Sequence, residues 1–137
     1  MGQIQIKEQP SILVVEDEVL VRLELVDLIE ELGFRVYEAG NADDAIRVME
    51  TNPSIQVLIT DIDMPGSMDG LKLSHYVRNK WPPVKIVVAS GHVRVNLTEL
   101  PEEGIFLNKP YDTARIRNLL ANISAQFKDG DPAGSRL

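Results

Sequence analysis

Five short runs that read as strands, separated by segments of helical periodicity, leave the chain very few folds to adopt. The runs are Ser11–Val15, Arg35–Ala39, Gln56–Thr60, Val84–Ala89 and Ile105–Leu107. Ser11–Val15 and Gln56–Thr60 are almost wholly apolar, the mark of strands buried on both faces. After the first run, Val21, Leu25, Leu28, Ile29 and Leu32 space out as one helix face, and Gly33 offers a left-handed stop. Asn41 is a good N-cap for a second helix that carries Ala45, Ile46 and Met49 and ends before Pro53. Asp69 caps a third, which runs to about Trp81 and is stopped by Pro82-Pro83. Asp112 caps the last, whose Ile116, Leu119, Leu120 and Ile123 form an i, i+3, i+4, i+7 stripe. The remaining connection, Val93–Leu100, is short and cut off by Pro101, so an irregular element is expected there. Strand–helix alternation repeated in this way gives an α/β fold, a parallel sheet with helices on both faces. In such sheets ligands bind beyond the carboxyl ends of the strands, where strand order reverses.

Composition narrows the function. At 137 residues, 44% hydrophobic and 26% charged, the chain suits one globular domain. Its apolar stretches fall far short of the roughly 20 residues that span a bilayer, and neither a signal peptide nor a myristoylation pattern is visible. No cysteine is present, so disulfide and thiol chemistry are excluded, in keeping with a cytoplasmic setting. A net charge of −7 argues against direct nucleic-acid binding, because phosphates would be repelled. Residues 1–10 read as a flexible leader, 11–126 as the folded domain and 127–137 as a disordered tail rich in turn formers.

The carboxyl ends of the runs carry the chemistry. The first ends in Glu16-Asp17 and the third in Asp61-Ile62-Asp63. Ser90-Gly91 ends the fourth, and Asn108-Lys109-Pro110 follows the fifth. Carboxylates crowded on one rim repel each other unless a cation joins them. All-oxygen ligands in small number suit Mg²⁺, which keeps waters and pairs with phosphate oxygens. The Ser90 hydroxyl and the Lys109 ammonium would complete a phosphate cradle opposite the metal. A carboxylate nucleophile beside Mg²⁺ can form an acyl phosphate.

With these residues in order, the chain resembles the response-regulator receiver domains of two-component signalling over about residues 11–126. The resemblance rests on Val15-Glu16-Asp17, Ile59-Thr60-Asp61, Met64-Pro65 with Asp69-Gly70, Ala89-Ser90 and Lys109-Pro110. It implies a doubly wound (βα)5 flavodoxin-like fold with strand order 2-1-3-4-5. It also implies that Asp61 is the phosphoacceptor and that Mg²⁺ is held by Asp17, by Glu16 largely through water, by Asp61 and by the backbone carbonyl of Asp63. Ser90 takes the switch-hydroxyl position, Lys109 contacts the phosphoryl oxygens, and Phe106 stands at the switch-aromatic position. The implied donor is a sensor histidine kinase or a histidine phosphotransfer protein, with a downstream protein partner; a homodimer is compatible. Three departures stand out: Met64–Gly70 is one residue longer than the usual spacing, Phe106 lacks the hydroxyl of the more usual Tyr, and the weak fourth helix, around Val93–Leu100, falls at the family's usual dimerisation face.

Each residue also has a plainer reading. Asp17 could be a helix cap, Asp61 a turn residue, Ser90 a loop residue bonded locally, and Lys109 a surface lysine. Their convergence at the ends of alternating strands favours the site. His75 reads as a surface residue and Trp81 as packing at a helix end. Asp63 and His92 are expected to flank the acceptor and to influence acyl-phosphate lifetime. Leu20, Glu24 and Asp27 continue one helix face away from Asp17, where a phosphoryl donor could dock. The expected function is a stand-alone switch, relay or phosphate sink rather than a multiple-turnover enzyme. Leu58–Asp63 also resembles the Asp-x-Asp motif of haloacid-dehalogenase-type phosphatases, and a constitutive receiver-like interaction module is a further alternative.

Overall fold

The structure, a computed structural model, describes residues 10–66, 68–91 and 96–128. In chain order the elements are β1 (Ser11–Val15), α1 (Val19–Glu31), β2 (Arg35–Ala39), α2 (Ala42–Thr51), β3 (Ile55–Asp61), α3 (Gly70–Lys80), β4 (Lys85–Ser90), a single 3-10 turn (Leu97–Glu99), β5 (Ile105–Asn108) and α4 (Thr113–Lys128). The strands form one parallel sheet in the order β2-β1-β3-β4-β5. Strand order therefore reverses beside β1, which puts the crevice between the carboxyl ends of β1 and β3.

Period-two alternation sorts the apolar side chains onto two faces. Ile12, Val14, Val57, Ile59, Val87 and Ala89 pack with Leu25, Val26 and Ile29 of α1 and with Ile116, Leu120 and Ile123 of α4. Leu13, Val15, Leu58, Ile86 and Val88 pack on the other face with Ala45 and Met49 of α2 and Leu73 and Val77 of α3. The central strands are thus covered on both sides, which is why their runs lack polar alternation.

Local signals set the helix ends. The Asn41 side chain accepts from Asp44 N–H at 2.8 Å and Asp69 from Lys72 N–H at 2.9 Å. Asp112 accepts from Ala114 N–H at 2.9 Å, and Gly33, at φ 98°, closes α1. Several strand ends differ from the sequence reading: β3 begins at Ile55 rather than Gln56 and β5 ends at Asn108 rather than Leu107. β3 runs on to Asp61, and β4 spans Lys85–Ser90 rather than Val84–Ala89. Pairing decides both, because Asp61 lies opposite Ala89 and Ser90 opposite Asn108. α4 also continues through Lys128, two residues into the segment expected to be a tail, because the turn formers begin only with Asp129-Gly130. The rest of that segment, and the leader up to residue 9, lie outside the described residues. So do His92 and residues 93–95; the described part of that connection holds only the 3-10 turn.

Candidate functional site

The sheet ladder continues one residue past three strands, and this fixes the backbone of the rim. Glu16 N–H donates to Ala39 O at 3.1 Å, Ile62 N–H to Ala89 O at 3.0 Å and Lys109 N–H to Ser90 O at 3.1 Å. The pairing of Val15 with Thr60 brings the residues that follow, Glu16 and Asp61, to the same level. Oxygens of Glu16, Asp17 and Asp61 all lie within 4.8 Å of one another. Lys109 reaches across from the far side of β4: its Nζ donates to Glu16 Oε1 at 2.8 Å and lies 3.3 Å from Asp61 Oδ1. The Lys109–Pro110 peptide is cis.

Burial makes the cluster electrostatically demanding. Glu16 is 1% exposed and Asp61 4%, while Asp17 is half-buried. Burial, and then the charge of Glu16, push the Asp61 carboxyl from its ordinary 3.8 up to about 6, with Lys109 pulling the other way. Burial works against the Lys109 ammonium, but its hydrogen bond to Glu16 and the charges of Asp61 and Glu16 outweigh this and raise its pKa. Partial burial, and then the charges of Glu16 and Asp61, push the phenol of the half-buried Tyr111 upward as well. The Lys109 ammonium thus contacts two of the three clustered carboxylates, Glu16 and Asp61. An all-oxygen donor set with surplus negative charge fits a hard divalent cation such as Mg²⁺. Glu16 is already engaged at both oxygens, by Lys109 and by Glu18 N–H at 3.1 Å, whereas Asp17 is half-exposed on the same rim.

Four of the residues expected from the sequence meet here: Glu16, Asp17, Asp61 and Lys109. Ser90 is buried at the end of β4, next in the sheet to Asp61's strand. Phe106 is half-buried in β5 and packs against the cluster formed with α2 and α3. Asp63 is exposed, and its charge adds to the upward push on Asp61. His75 is exposed with its Nε2 2.7 Å from Glu99 O, and Trp81 packs on Tyr76 with ring centroids 6.3 Å apart. Leu20, Glu24 and Asp27 are exposed.

Sequence reasoning missed three contributors. Arg22 donates to Glu16 O at 2.8 Å, Tyr111 lies under Lys109 with its ring centroid 6.0 Å from Nζ, and Arg78 fastens α3 to Glu102 O, Pro82 O and Val84 O. For Arg22 the available signal was a lone base in the helix that follows an acidic pair. Arg78 and Tyr111 had none, because their partners are set by tertiary approach.

Known proteins share this arrangement of elements. The response regulator receiver protein CpdR of Brucella abortus (strain 2308) is 31% identical over 115 residues, spanning 82% of this chain and 92% of CpdR. The sensor kinase CckA of the same organism is 30% identical over 110 residues, 77% of this chain. That match covers only 12% of CckA, and the chain spans 24% of several other curated relatives. A crystal structure of a response regulator receiver domain protein from Clostridium thermocellum superposes with a TM-score of 0.76 at 26% identity, over 86% of this chain and 96% of that one. The family model described as the response regulator receiver domain matches residues 12–121. By sequence and by fold, the chain belongs to the response regulator receiver domain family.

Proposed function

We propose that the domain is a phosphorylation switch in which Asp61 accepts a phosphoryl group from a phosphohistidine. The observation that carries this reading is a buried carboxylate at the crevice, 3.3 Å from an ammonium and grouped with two further carboxylates. An Asp61 oxygen attacks phosphorus in line, the P–N bond breaks, and the electron pair leaves with the imidazole. Mg²⁺, when held by Asp17 and Asp61, the Asp63 carbonyl and, through water, Glu16, supplies positive charge for the phosphoryl oxygens. Lys109 balances charge from the opposite side, exchanging its contact with Asp61 for one with a phosphoryl oxygen while Glu16 keeps it in place. The Ser90 hydroxyl takes another phosphoryl oxygen, and Phe106 repacks in response. Together they shift a two-state equilibrium in the surface around β4 and β5.

A chain with these groups turns over at most slowly and acts as a switch, relay or phosphate sink in the cytoplasm. Its likeness to part of a sensor kinase supports a histidine kinase or phosphotransfer protein as donor. The exposed Leu20, Glu24 and Asp27 beside the rim form the docking face; an unchanged transfer rate after Glu24→Lys would remove that assignment.

The test is intact mass after incubation with acetyl phosphate. One phosphoryl group should add to wild type with Mg²⁺ and none without it or in Asp61→Asn. Undiminished labelling of Asp61→Asn overturns the acceptor assignment. A folded wild type that stays unlabelled by both acetyl phosphate and a phosphorylated histidine kinase domain overturns the switch.

A further inference from the structure

The Arg22 side chain is only 19% exposed and serves two partners on different elements. Its Nη1 donates to the backbone carbonyl of Glu16 at 2.8 Å, and its Nε donates to Glu38 Oε1 on β2 at 3.0 Å. The residue after β2, Gly40, leaves the guanidinium its room: a Cβ there would stand 3.1 Å from Nη1. The carbonyl so held belongs to the peptide that joins Glu16 to Asp17. The other backbone group of Glu16, its N–H, is bonded to Ala39 O, again on the β2 side. Glu16's side chain is fixed separately by Lys109 and Glu18 N–H. Among the described residues no such side-chain anchor holds Asp17, so the plane of the peptide before it bears directly on where its carboxylate points.

We infer that Arg22 is a positioning residue for the divalent cation: by gripping the Glu16 carbonyl from the β2 side it fixes the peptide that aims Asp17 toward Asp61. This rests on the reading of the acidic cluster as a Mg²⁺ site. Glu38 and Gly40 act one step further out, by setting where the guanidinium lies. Charge and geometry make opposite predictions here. A guanidinium near a cation site repels the cation, so removing it tightens binding if charge is its whole contribution. Loss of a group that orients a metal ligand weakens binding, typically by about 10- to 100-fold. Lysine separates the two, because it keeps the charge but lacks the planar fork that bonds a carbonyl and a carboxylate together.

The experiment is a MgCl₂ titration of the full chain followed by amide chemical shifts, which report affinity and folding in one measurement. Arg22→Lys is expected to bind about tenfold more weakly than wild type. Arg22→Gln should also weaken binding although it removes a repelling charge, and Glu38→Gln should weaken it roughly two- to threefold, since a neutral amide oxygen still accepts from Nε. Glu50→Gln, which breaks the exposed Lys80–Glu50 pair between α2 and α3, should leave affinity unchanged. If Arg22→Gln fails to fold, Arg22→Lys and Glu38→Gln carry the test. Wild-type affinity in Arg22→Lys, with tighter binding in any folded Arg22→Gln, overturns the positioning role and leaves the metal site standing. A wild type that takes up no Mg²⁺ overturns the metal-site reading, and this inference with it.

Discussion

Replacing Asp61 by Asn should make the metal-free protein more stable, although it removes the proposed phosphoacceptor. In the folded chain the Asp61 carboxyl is raised from 3.8 to about 6, by burial and by the charge of Glu16. A raised carboxyl pKa means that folding favours the neutral form. Asp61's contribution to stability is therefore fully present below about pH 3.8 and lost as pH rises through about 6. Above that, the ionised group costs up to about 3 kcal/mol, the free-energy equivalent of a rise from 3.8 to 6. Asparagine keeps the shape and removes the charge. Lys109 keeps its 2.8 Å bond to Glu16, so no buried ammonium is stranded.

In EDTA at pH 7.5, Asp61→Asn should thus be more stable by about 1–3 kcal/mol, or roughly 4–12 °C in melting temperature for a domain of this size. Between pH 7.5 and pH 4 the gap should shrink to under about 1 kcal/mol, because the wild-type carboxyl protonates and comes to match the amide. Saturating Mg²⁺ should also narrow it, by stabilising wild type more than the variant. Thermal melts by circular dichroism, at several pH values with and without Mg²⁺, supply all three comparisons. A variant that melts at or below wild type in EDTA at pH 7.5, or a gap that ignores pH, would refute the electrostatic account of the site.

Two further substitutions probe the same rim. Lys109→Met strips the cation from Glu16, which is 1% exposed, so the metal-free protein should lose about 3–5 kcal/mol in urea unfolding, with much of it returned by Mg²⁺. Gly70→Ala would set a Cβ 1.7 Å from the Asp61 carbonyl oxygen, an overlap with backbone that no rotamer relieves; a loss of at least about 3 kcal/mol, or failure to fold, is expected in the same assay.

What the sequence made legible was what hydrophobic period and capping encode. The central strands are runs such as Leu13–Val15 and Leu58–Thr60, and Asn41, Asp69 and Asp112 announce their helices through side-chain bonds to nearby N–H groups. Strand ends were less legible because hydrogen bonding, not hydrophobicity, sets them. Asp61 is polar yet belongs to β3, since it pairs with Ala89 and Ile62 N–H then bonds Ala89 O. At the site, residues at strand ends could be read, because strand position alone brings them to one rim. Arg22 and Arg78 could not. Arg22 finds Glu38 at a separation of 16 residues and Arg78 finds Glu102 at 24, and neither spacing carries a local signal. His75 is a milder case: it was rightly placed at the surface, but its contact with Glu99 O ties α3 to the 3-10 turn.

The Met64–Gly70 stretch, one residue longer than the resemblance leads one to expect, shows how the fold separates the position of Asp61 from the length of the loop beside it. Asp61 is held in the sheet, and Ile62 N–H extends the ladder to Ala89 O at 3.0 Å. On the far side, Gly70 N–H returns to Ile62 O at 2.9 Å, and the Asp69 side chain caps Lys72 N–H at 2.9 Å. Both ends of the loop are thus tied to the β3–α3 junction, and Gly70 fits there only because it lacks a side chain. Added length has to be taken up between these anchors. Pro65 and Gly66 are exposed, and Gly66 adopts φ 110°, a left-handed turn open to glycine at little strain. Length added between these anchors therefore leaves Asp61 where the sheet holds it.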